Sequence, residues 1–589
     1  MFVTRPCSTS VFECPCLFSY FGDNGHSAVR LSILSSGPAL RFLRILTTTC
    51  FGQGRALWAL ILAALLLPVC VRPCHSQTAH GRDHLSDNIS GTVLNSVTRE
   101  PIGRALVYTL DQRSAAFTDE HGHFELILAV TADMSDPRAR AQIHERLQAK
   151  KPGFVTEQGR YGSIDVAPDR DDAILSLVPE ALIVGHVKFP SAEAADHVQV
   201  QLYRREVRNG FGQWAPQTSI TTLADGEFRF ADLEAGEYKV FTLETTEQDP
   251  LANVPNGPVF GFPPRFFAAA RDFATADTIQ LRAGETVTAN IAPERQRYFD
   301  VRIPVIKPQV GPGTGLSVSV HAQGHRGPGF ELGYDPDQNA IRGSLPNGSY
   351  TIEASSNEPD SATGTTAITV ANGPVNGPPL ALTPNVLIEY NVHQDFSAVE
   401  SSPIPSPSVS VNLQEAEEFS EAGGGGVRYS TQSNLPALSG VRPGRYWVQV
   451  NPSSSDIYVA SVSSGGKDLL ASPLVVPFGA SVPPIEITLG RGSGEIEIAG
   501  SFDGSRQTSI YCLPVSGNVS AGRETSGPYI KYSVGQLAPG DYRILAFDGP
   551  PQLEYRNPAA MHSYESKGQV VHLTSGQKAQ VRLQAIESE

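Results

Sequence analysis

A short motif, Leu-x-x-Gly-x-Tyr-x-aliphatic, occurs four times and constrains the fold more than any other feature of the sequence. The copies begin at Leu233, Leu345, Val441 and Leu537, and they contain Tyr238, Tyr350, Tyr446 and Tyr542. Successive tyrosines are 112, 96 and 96 residues apart. A period this long fits a repeated small domain and exceeds the length of a solenoid repeat. The motif therefore predicts a tandem array of domains.

Each copy places a glycine at a turn, before a segment in which the tyrosine and an aliphatic residue alternate with other side chains. Glycine suits a turn with positive φ. A period of two puts the tyrosine and the aliphatic residue on the same face of a strand, here the buried face of a half-covered antiparallel sheet. We predict that the four tyrosines are structural and that their hydroxyls bond to backbone groups.

The composition agrees with many short strands, because 54 Gly and 45 Pro among 589 residues supply turns throughout the chain. We predict an all-β fold: a tandem array of about five antiparallel β-sandwich domains, transthyretin-like or immunoglobulin-like, after an N-terminal signal segment. The predicted ranges are 1–76 for the leader and 87–180, 181–294, 295–384, 385–491 and 492–589 for the first to fifth domains.

The leader has the pattern of a secretion signal. Arg55 precedes an apolar run over residues 56–71 that is too short for a comfortable membrane span and suits a signal-peptide core. Ser76 is a suitable residue before a cleavage point, and lipid attachment at Cys70 is the alternative. We expect a secreted, periplasmic or outer-surface protein whose membrane contact is limited to the signal segment or a lipid anchor.

Cysteine and charge exclude several classes of function. Six of the seven cysteines lie in the leader, so Cys512 alone remains for the mature chain, without a disulfide framework or a thiolate metal site. The net charge is −15 and no basic stripe is present, which disfavours nucleic acid as a partner.

The first domain carries a three-part pattern: Ile-x-Gly-x-Val at 89–93, Glu-Pro-Ile-Gly-x-Ala at 100–105 and Thr-Asp-x-x-Gly-x-Phe at 118–124. This pattern resembles the carboxypeptidase regulatory-like domain, and the layout of the whole chain is similar to secreted bacterial proteins with repeated domains of that type. The resemblance implies a seven-stranded transthyretin-like sandwich with an extracellular, accessory role and no catalytic residues.

Residues 135–150 have the caps and helix formers of a helix, whereas the family pattern implies a strand just before the Lys-Pro-Gly-Phe segment at 151–154. We therefore predict a short helix over residues 136–144 and a strand over residues 145–150. A second short helix is predicted over residues 558–564. Asp119, His121 and His123 lie in a tight turn, where they are read as solvated turn residues and not as metal ligands. We predict no metal site.

Two segments of the second domain, 209–214 and 259–267, are richer in aromatic side chains than turns usually are. Their candidate binding residues for a polysaccharide or a surface protein are Phe211, Trp214, Phe262 and Phe266. The alternative is that these side chains fold back into a small satellite core.

The sequence contains no zinc-protease, nucleophile-elbow or phosphate-loop motif, and its histidines are scattered singly. We therefore predict no catalytic residues, no cofactor and no enzyme activity. The predicted function is a non-enzymatic scaffold for binding or adhesion. The alternatives are a carbohydrate-binding protein that uses the aromatics of the second domain, and an accessory to an outer-membrane receptor or peptidase.

Overall fold

The computed structural model describes residues 87–128, 145–156, 163–166, 173–190, 195–247, 258–306, 315–322, 326–356, 361–396, 409–419, 428–429, 436–502, 507–515, 522–527, 529–549 and 552–586. The predicted leader and the predicted helix at 136–144 lie outside these residues.

The first domain has two four-stranded sheets, with strand orders β4-β1-β8-β6 and β3-β2-β5-β7. The strands are β1 (Asp87–Asn95), β2 (Leu106–Thr109), β3 (Ala115–Phe117), β4 (His123–Leu128), β5 (Glu145–Lys150), β6 (Phe154–Thr156), β7 (Ile164–Val166) and β8 (Ala173–Pro179). The alternation along β4 buries Phe124, Leu126 and Leu128 and leaves the residues between them exposed. The two sheets enclose one core.

The second domain pairs β12-β9-β18 in one sheet and β11-β10-β13-β16 in the other, with β17 also on β13. The strands are β9 (Ala181–His186), β10 (Gln199–Arg208), β11 (Phe211–Thr221), β12 (Glu227–Leu233), β13 (Gly236–Thr242), β14 (Thr245–Thr246), β15 (Val259–Phe262), β16 (Arg265–Phe266), β17 (Ile279–Leu281) and β18 (Thr286–Thr288). Strands β10 and β11 form a hairpin much longer than the other strands of this domain.

The third domain shares a sheet with the second. Its strands are β19 (Gln296–Ile306), β20 (Leu316–Ala322), β21 (Gly333–Asp335), β22 (Ala340–Pro346), β23 (Gly348–Ser356), β24 (Ala362–Val370), β25 (Val375–Asn376), β26 (Leu380–Ala381) and β27 (Thr383–Pro384). One sheet has the order β14-β15-β19-β22-β21, with β25 and β26 also on β19, and the other has the order β20-β23-β24-β27.

The fourth domain has sheets β30-β31-β28-β36-β33-β34 and β29-β32-β35. The strands are β28 (Val386–Asp395), β29 (Val409–Glu415), β30 (Arg428–Tyr429), β31 (Ala437–Val441), β32 (Gly444–Pro452), β33 (Ile457–Ser464), β34 (Lys467–Asp468), β35 (Leu474–Val476) and β36 (Ile485–Arg491).

The fifth domain has sheets β40-β37-β43 and β39-β38-β41-β42. The elements are β37 (Gly494–Gly500), β38 (Thr508–Pro514), β39 (Arg523–Gly527), β40 (Lys531–Leu537), β41 (Gly540–Asp548), a helix α1 (Pro558–His562), β42 (Gln569–Leu573) and β43 (Lys578–Leu583). Helix α1 begins with a proline after the cap residue Asn557, whose side chain accepts a hydrogen bond from the Ala559 backbone.

A common topology runs through the five units. In each one the opening strand pairs in parallel with a closing strand: β1 with β8, β9 with β18, β19 with β25 and β26, β28 with β36, and β37 with β43. Five hydrophobic clusters follow one another along the chain, each inside one predicted domain range. The prediction of an all-β tandem array of sandwiches is confirmed; the individual domain boundaries stay predictions.

The repeated motif is the corner at which the chain passes between the two sheets of a unit. In the second domain, Leu233 ends β12 in one sheet and Gly236 begins β13 in the other. Each motif tyrosine is buried, and its hydroxyl donates to the carbonyl four residues earlier: Glu234, Pro346, Arg442 and Ala538 at 2.9, 2.9, 3.0 and 2.9 Å. The predicted structural role of the tyrosines is confirmed.

Two physical requirements explain why the motif contains a glycine. Gly236 and Gly540 have φ of 157° and 152°, a region that side chains rarely adopt. At Gly348, a Cβ would lie 2.9 Å from the Tyr350 hydroxyl, so glycine there makes room for the tyrosine ring. The prediction of positive φ is therefore incomplete, because close approach is the second requirement.

Two local predictions are also confirmed. Residues 145–150 form β5, and the helix predicted near Pro558 is α1. The part of the chain that the structure describes has no helix of the length and apolarity needed to cross a lipid bilayer.

Candidate functional site: the junctions around the second domain

The β10–β11 hairpin is the longest-reaching element of the second domain. Its tip is the pair Asn209-Gly210, with φ of 50° and 72°, and a two-residue loop of this kind keeps the twist of the two strands in register. The tip lies against the fourth and fifth domains, which are about 200 and 350 positions further along the chain.

The hairpin meets the fourth domain through backbone and amide groups. The Trp214 backbone donates to the Glu418 carbonyl at 2.6 Å, and the Gln213 amide donates to the Glu415 carbonyl at 2.8 Å. Near the tip, Asn209 Nδ2 donates to Gln414 Oε1 at 3.0 Å. The first of these bonds belongs to an isolated parallel bridge between Trp214 and Phe419, so backbone pairing crosses from one domain to the other.

The hairpin meets the fifth domain through charged groups. Arg205 forms an ion pair with Glu554 at 2.6 Å, and both side chains are largely buried. The Arg556 Nε donates to the Asn209 carbonyl at 2.7 Å, and its backbone donates to the Gly210 carbonyl at 3.0 Å. Burial lowers the pKa of Arg556, although the guanidinium stays charged at physiological pH.

An aromatic cluster fills the junction between the second and fourth domains. It consists of Tyr203, Trp214, Phe241, Phe266, Phe273 and Phe419, of which Phe419 alone comes from the fourth domain. Lys239 is buried beside this cluster, with its Nζ bonded to the Phe273 carbonyl at 2.7 Å and 4.9 Å from the centre of the Trp214 ring. Burial lowers the pKa of Lys239, and the nearby Glu418 opposes that shift.

The structure buries three of the four predicted binding aromatics, and two of these three, Trp214 and Phe266, belong to the aromatic cluster. Trp214, Phe262 and Phe266 are 4%, 5% and 2% exposed, and Phe211 is half-buried. Trp214 and Phe266 pack as the satellite-core alternative predicts, while Phe262 stacks on Phe189 with ring centroids 3.9 Å apart. Binding of a polysaccharide or a surface protein by these residues stays a prediction. Phe419, which completes the cluster, has no signal in the sequence.

The second and third domains are joined by a continuous sheet. Strand β15 of the second domain pairs with β19 of the third, with Val259 opposite Tyr298. Glu244 lies at this junction and accepts a hydrogen bond from the Glu331 backbone at 3.3 Å. Burial raises the pKa of Glu244 to about 7, and the Glu331 backbone bond offsets part of that rise.

A cleft of about 440 Å³ lies beside the same junction, between the second and third domains. The segment 263–265 and Arg271 line one side, and Phe330 and residues 346–350 line the other. Arg265 and Arg271 approach the two carboxylate oxygens of Glu294 at 3.4 and 3.5 Å.

One group of residues has the ligand types of a metal site: His186, Asp225 and Glu227, whose ligand atoms lie within 4.8 Å of one another. Asp225 caps a turn by accepting from the Glu227 backbone at 3.0 Å, which accounts for its position without a metal. In the other turn considered for a metal, Asp119 accepts from the backbones of His121 and His123, both at 2.9 Å. These two bonds agree with the reading of that turn as structural.

No protein-family model and no curated protein sequence matches the chain. Among solved structures, the Bacillus anthracis TIE protein is 10% identical with a TM-score of 0.13, over 85% of this chain and 68% of that one. GBS52, the minor pilin of Streptococcus agalactiae, is 12% identical with a TM-score of 0.17, over 36% of this chain and 96% of its own. The shaft pilin SpaA from Lactobacillus rhamnosus GG is 10% identical with a TM-score of 0.17, over 35% and 98%. TM-scores this low carry no inference about function, and the resemblance of the first domain to the carboxypeptidase regulatory-like domain stays a prediction.

Proposed function

We propose that the chain is a secreted or cell-surface scaffold for binding or adhesion, without enzyme activity. The observation that carries this proposal is the set of junctions around the second domain: a shared sheet with the third domain, backbone pairing with the fourth and a buried ion pair with the fifth. Junctions of these kinds resist domain motion, whereas free linkers permit it. A scaffold that holds several domains in fixed relation can present a composite surface to one partner with little ordering cost.

The titratable groups agree with this proposal. In the described residues, the largest upward shifts of pKa belong to tyrosines that burial keeps protonated, and to the buried thiol of Cys512. These groups pack in domain cores and junctions, and burial is the largest cause of each of their shifts. A catalytic group would need a perturbed pKa in an accessible cleft with a substrate-facing partner.

The test uses the mature chain, residues 77–589, presented to immobilised polysaccharides and to surface proteins of the encoding organism. We expect saturable binding to at least one of these surfaces, with excess unlabelled protein competing for the same sites. A matched assay with ester, glycoside and peptide substrates is expected to show no turnover. Turnover that survives repurification, or the absence of saturable binding to every surface, would contradict the proposal.

A further inference from the structure

The cleft between the second and third domains has an apolar floor. Pro264 packs on Gly329 of the third domain, where a Cβ would lie 2.6 Å from the proline ring. Phe330 and Tyr350 meet edge to face, with ring centroids 5.3 Å apart. Because the Tyr350 hydroxyl is already bonded to the Pro346 carbonyl, the tyrosine contributes apolar surface to the cleft.

The rim of the cleft is polar and includes unused bonding capacity. Arg265 is 14% exposed, and its terminal nitrogen Nη2 lies 3.4 Å from Glu294 Oε1. Arg271 is 77% exposed at the mouth, so its long contact with Glu294 leaves most of its donors to solvent. Gln296 adds an amide group to the same lining, whereas the Asn347 amide in this lining is already bonded at both ends to Asn372.

The charges of the cleft balance. Arg265 and Arg271 carry two positive charges, and Glu294 and Asp272 carry two negative ones. Asp272 is held in a turn by the Thr275 backbone and hydroxyl, both at 2.8 Å, so its charge is fixed beside the arginines. A balanced cleft gives no electrostatic preference for an anion or a cation.

We propose that this cleft binds a neutral, hydroxyl-rich ring ligand, namely a sugar unit of a glycan. Planar amide, guanidinium and carboxylate groups bond adjacent hydroxyls, while an aromatic and proline floor packs against the C–H face of the ring. The volume falls within the range of small-molecule sites, about 300 to 1,000 Å³. The inference rests on the proposed binding function and assigns its ligand to residues other than the four predicted aromatics.

The test titrates the mature chain, residues 77–589, with neutral and acidic oligosaccharides on an array, followed by calorimetry for those that bind. Ser349→Trp fills the cleft from an exposed strand position, and Arg271→Ala removes an exposed donor at its mouth. Arg342→Ala is the matched control, because Arg342 is also partly exposed and approaches a carboxylate, Asp335, at the same 3.5 Å. Circular dichroism and thermal unfolding verify that each variant is folded.

We expect neutral oligosaccharides to bind wild type. Relative to wild type, their affinity should be about tenfold lower for Ser349→Trp, about threefold lower for Arg271→Ala and unchanged for Arg342→Ala. Equal affinity in wild type, Ser349→Trp and Arg271→Ala would overturn the site. Binding of acidic oligosaccharides alone would overturn the ligand class. If the protein binds no sugar, and binds a surface partner equally well with and without Ser349→Trp, the proposed sugar site is wrong while the scaffold function stands.

Discussion

The hydroxyl of Tyr446 closes one of the four sheet-to-sheet corners by donating to the Arg442 carbonyl at 3.0 Å. Tyr446→Phe keeps the buried ring and removes only this bond, so we expect a loss of about 1 kcal/mol in the free energy of unfolding. Urea denaturation of the mature chain measures it. Tyr529→Phe is the control, because Tyr529 is exposed. Equal midpoints for the two variants would show that the corner bond contributes nothing.

The raised pKa of Glu244 makes stability depend on pH at the junction of the second and third domains. Its folded pKa of about 7 lies above the ordinary value of 4.5. Below 4.5 the carboxyl is protonated in both states; as pH rises to about 7 the unfolded state loses its proton first, so stability falls. Above about 7 the loss is complete and constant.

Glu244→Gln keeps the acceptor for the Glu331 backbone and removes the ionisation. We expect the variant to match wild type near pH 4 and to exceed it near pH 8 by about 1 to 3 kcal/mol, measured by urea denaturation at both values. Glu247→Gln is the control. Its Arg295 partner lowers the pKa of Glu247, so this variant should not gain stability at the higher pH. A gain in both variants would show that the effect is not specific to burial.

At the scale of elements, the hairpin tip depends on Gly210. It has a φ of 72°, and a Cβ there would lie 2.5 Å from the Tyr555 ring of the fifth domain. Gly466 has a similar φ of 80°, and a Cβ there would have no other atom within 4 Å. Gly466→Ala therefore measures only the backbone cost of an alanine at positive φ. We expect Gly210→Ala to destabilise the mature chain by about 1 to 3 kcal/mol more than Gly466→Ala, because the tip must move off Tyr555.

Limited proteolysis and thermal unfolding measure this difference. We expect the β10–β11 hairpin to be cleaved earlier in the Gly210→Ala variant than in the Gly466→Ala variant. Matching cleavage patterns and unfolding temperatures would mean that Tyr555 does not hold the tip.

The elements that sequence predicts well are those whose determinants are local. The motif around Tyr238 and its three counterparts predicts the turns at which the corners form, because a turn glycine and a period of two act within a few residues. Helix α1 follows from the same local rules, whereas strand β5 follows from the family pattern and opposes the local helix propensity. The sequence does not predict that β15 pairs with β19 across the boundary between the second and third domains, because each segment alone has the pattern of an ordinary edge strand.

The candidate site depends on contacts that no local pattern encodes. In the sequence Trp214 and Phe266 look like exposed loop aromatics, but both rings pack on Phe273 in a cluster that Phe419, about 200 residues later, completes. The cleft is likewise formed by Arg265 and Phe330 from different domains. The sequence shows which segments are rich in aromatic residues, but it does not show which rings from distant positions pack on them.

At the scale of the whole molecule, the hairpin contact predicts that the second and fourth domains touch within one chain. Residues 77–589 contain a single cysteine, Cys512, which is fully buried, and burial raises the pKa of its thiol to about 12. Cysteines introduced on the surface can therefore be labelled without interference. Gln213 and Glu418 suit such a pair, because Gln213 precedes Trp214, whose backbone donates to the Glu418 carbonyl at 2.6 Å.

We expect a variant with Gln213→Cys and Glu418→Cys to form an intramolecular bridge with a short bismaleimide, seen as a faster-migrating monomer on a denaturing gel. Dilution should not reduce the yield, because two thiols held on adjoining domains have a high effective concentration. Each single variant can give only dimers, whose yield falls on dilution, and wild type should give no product. Dimers alone from the double variant would show that the two domains do not meet within one molecule, and that the aromatic cluster is open in solution.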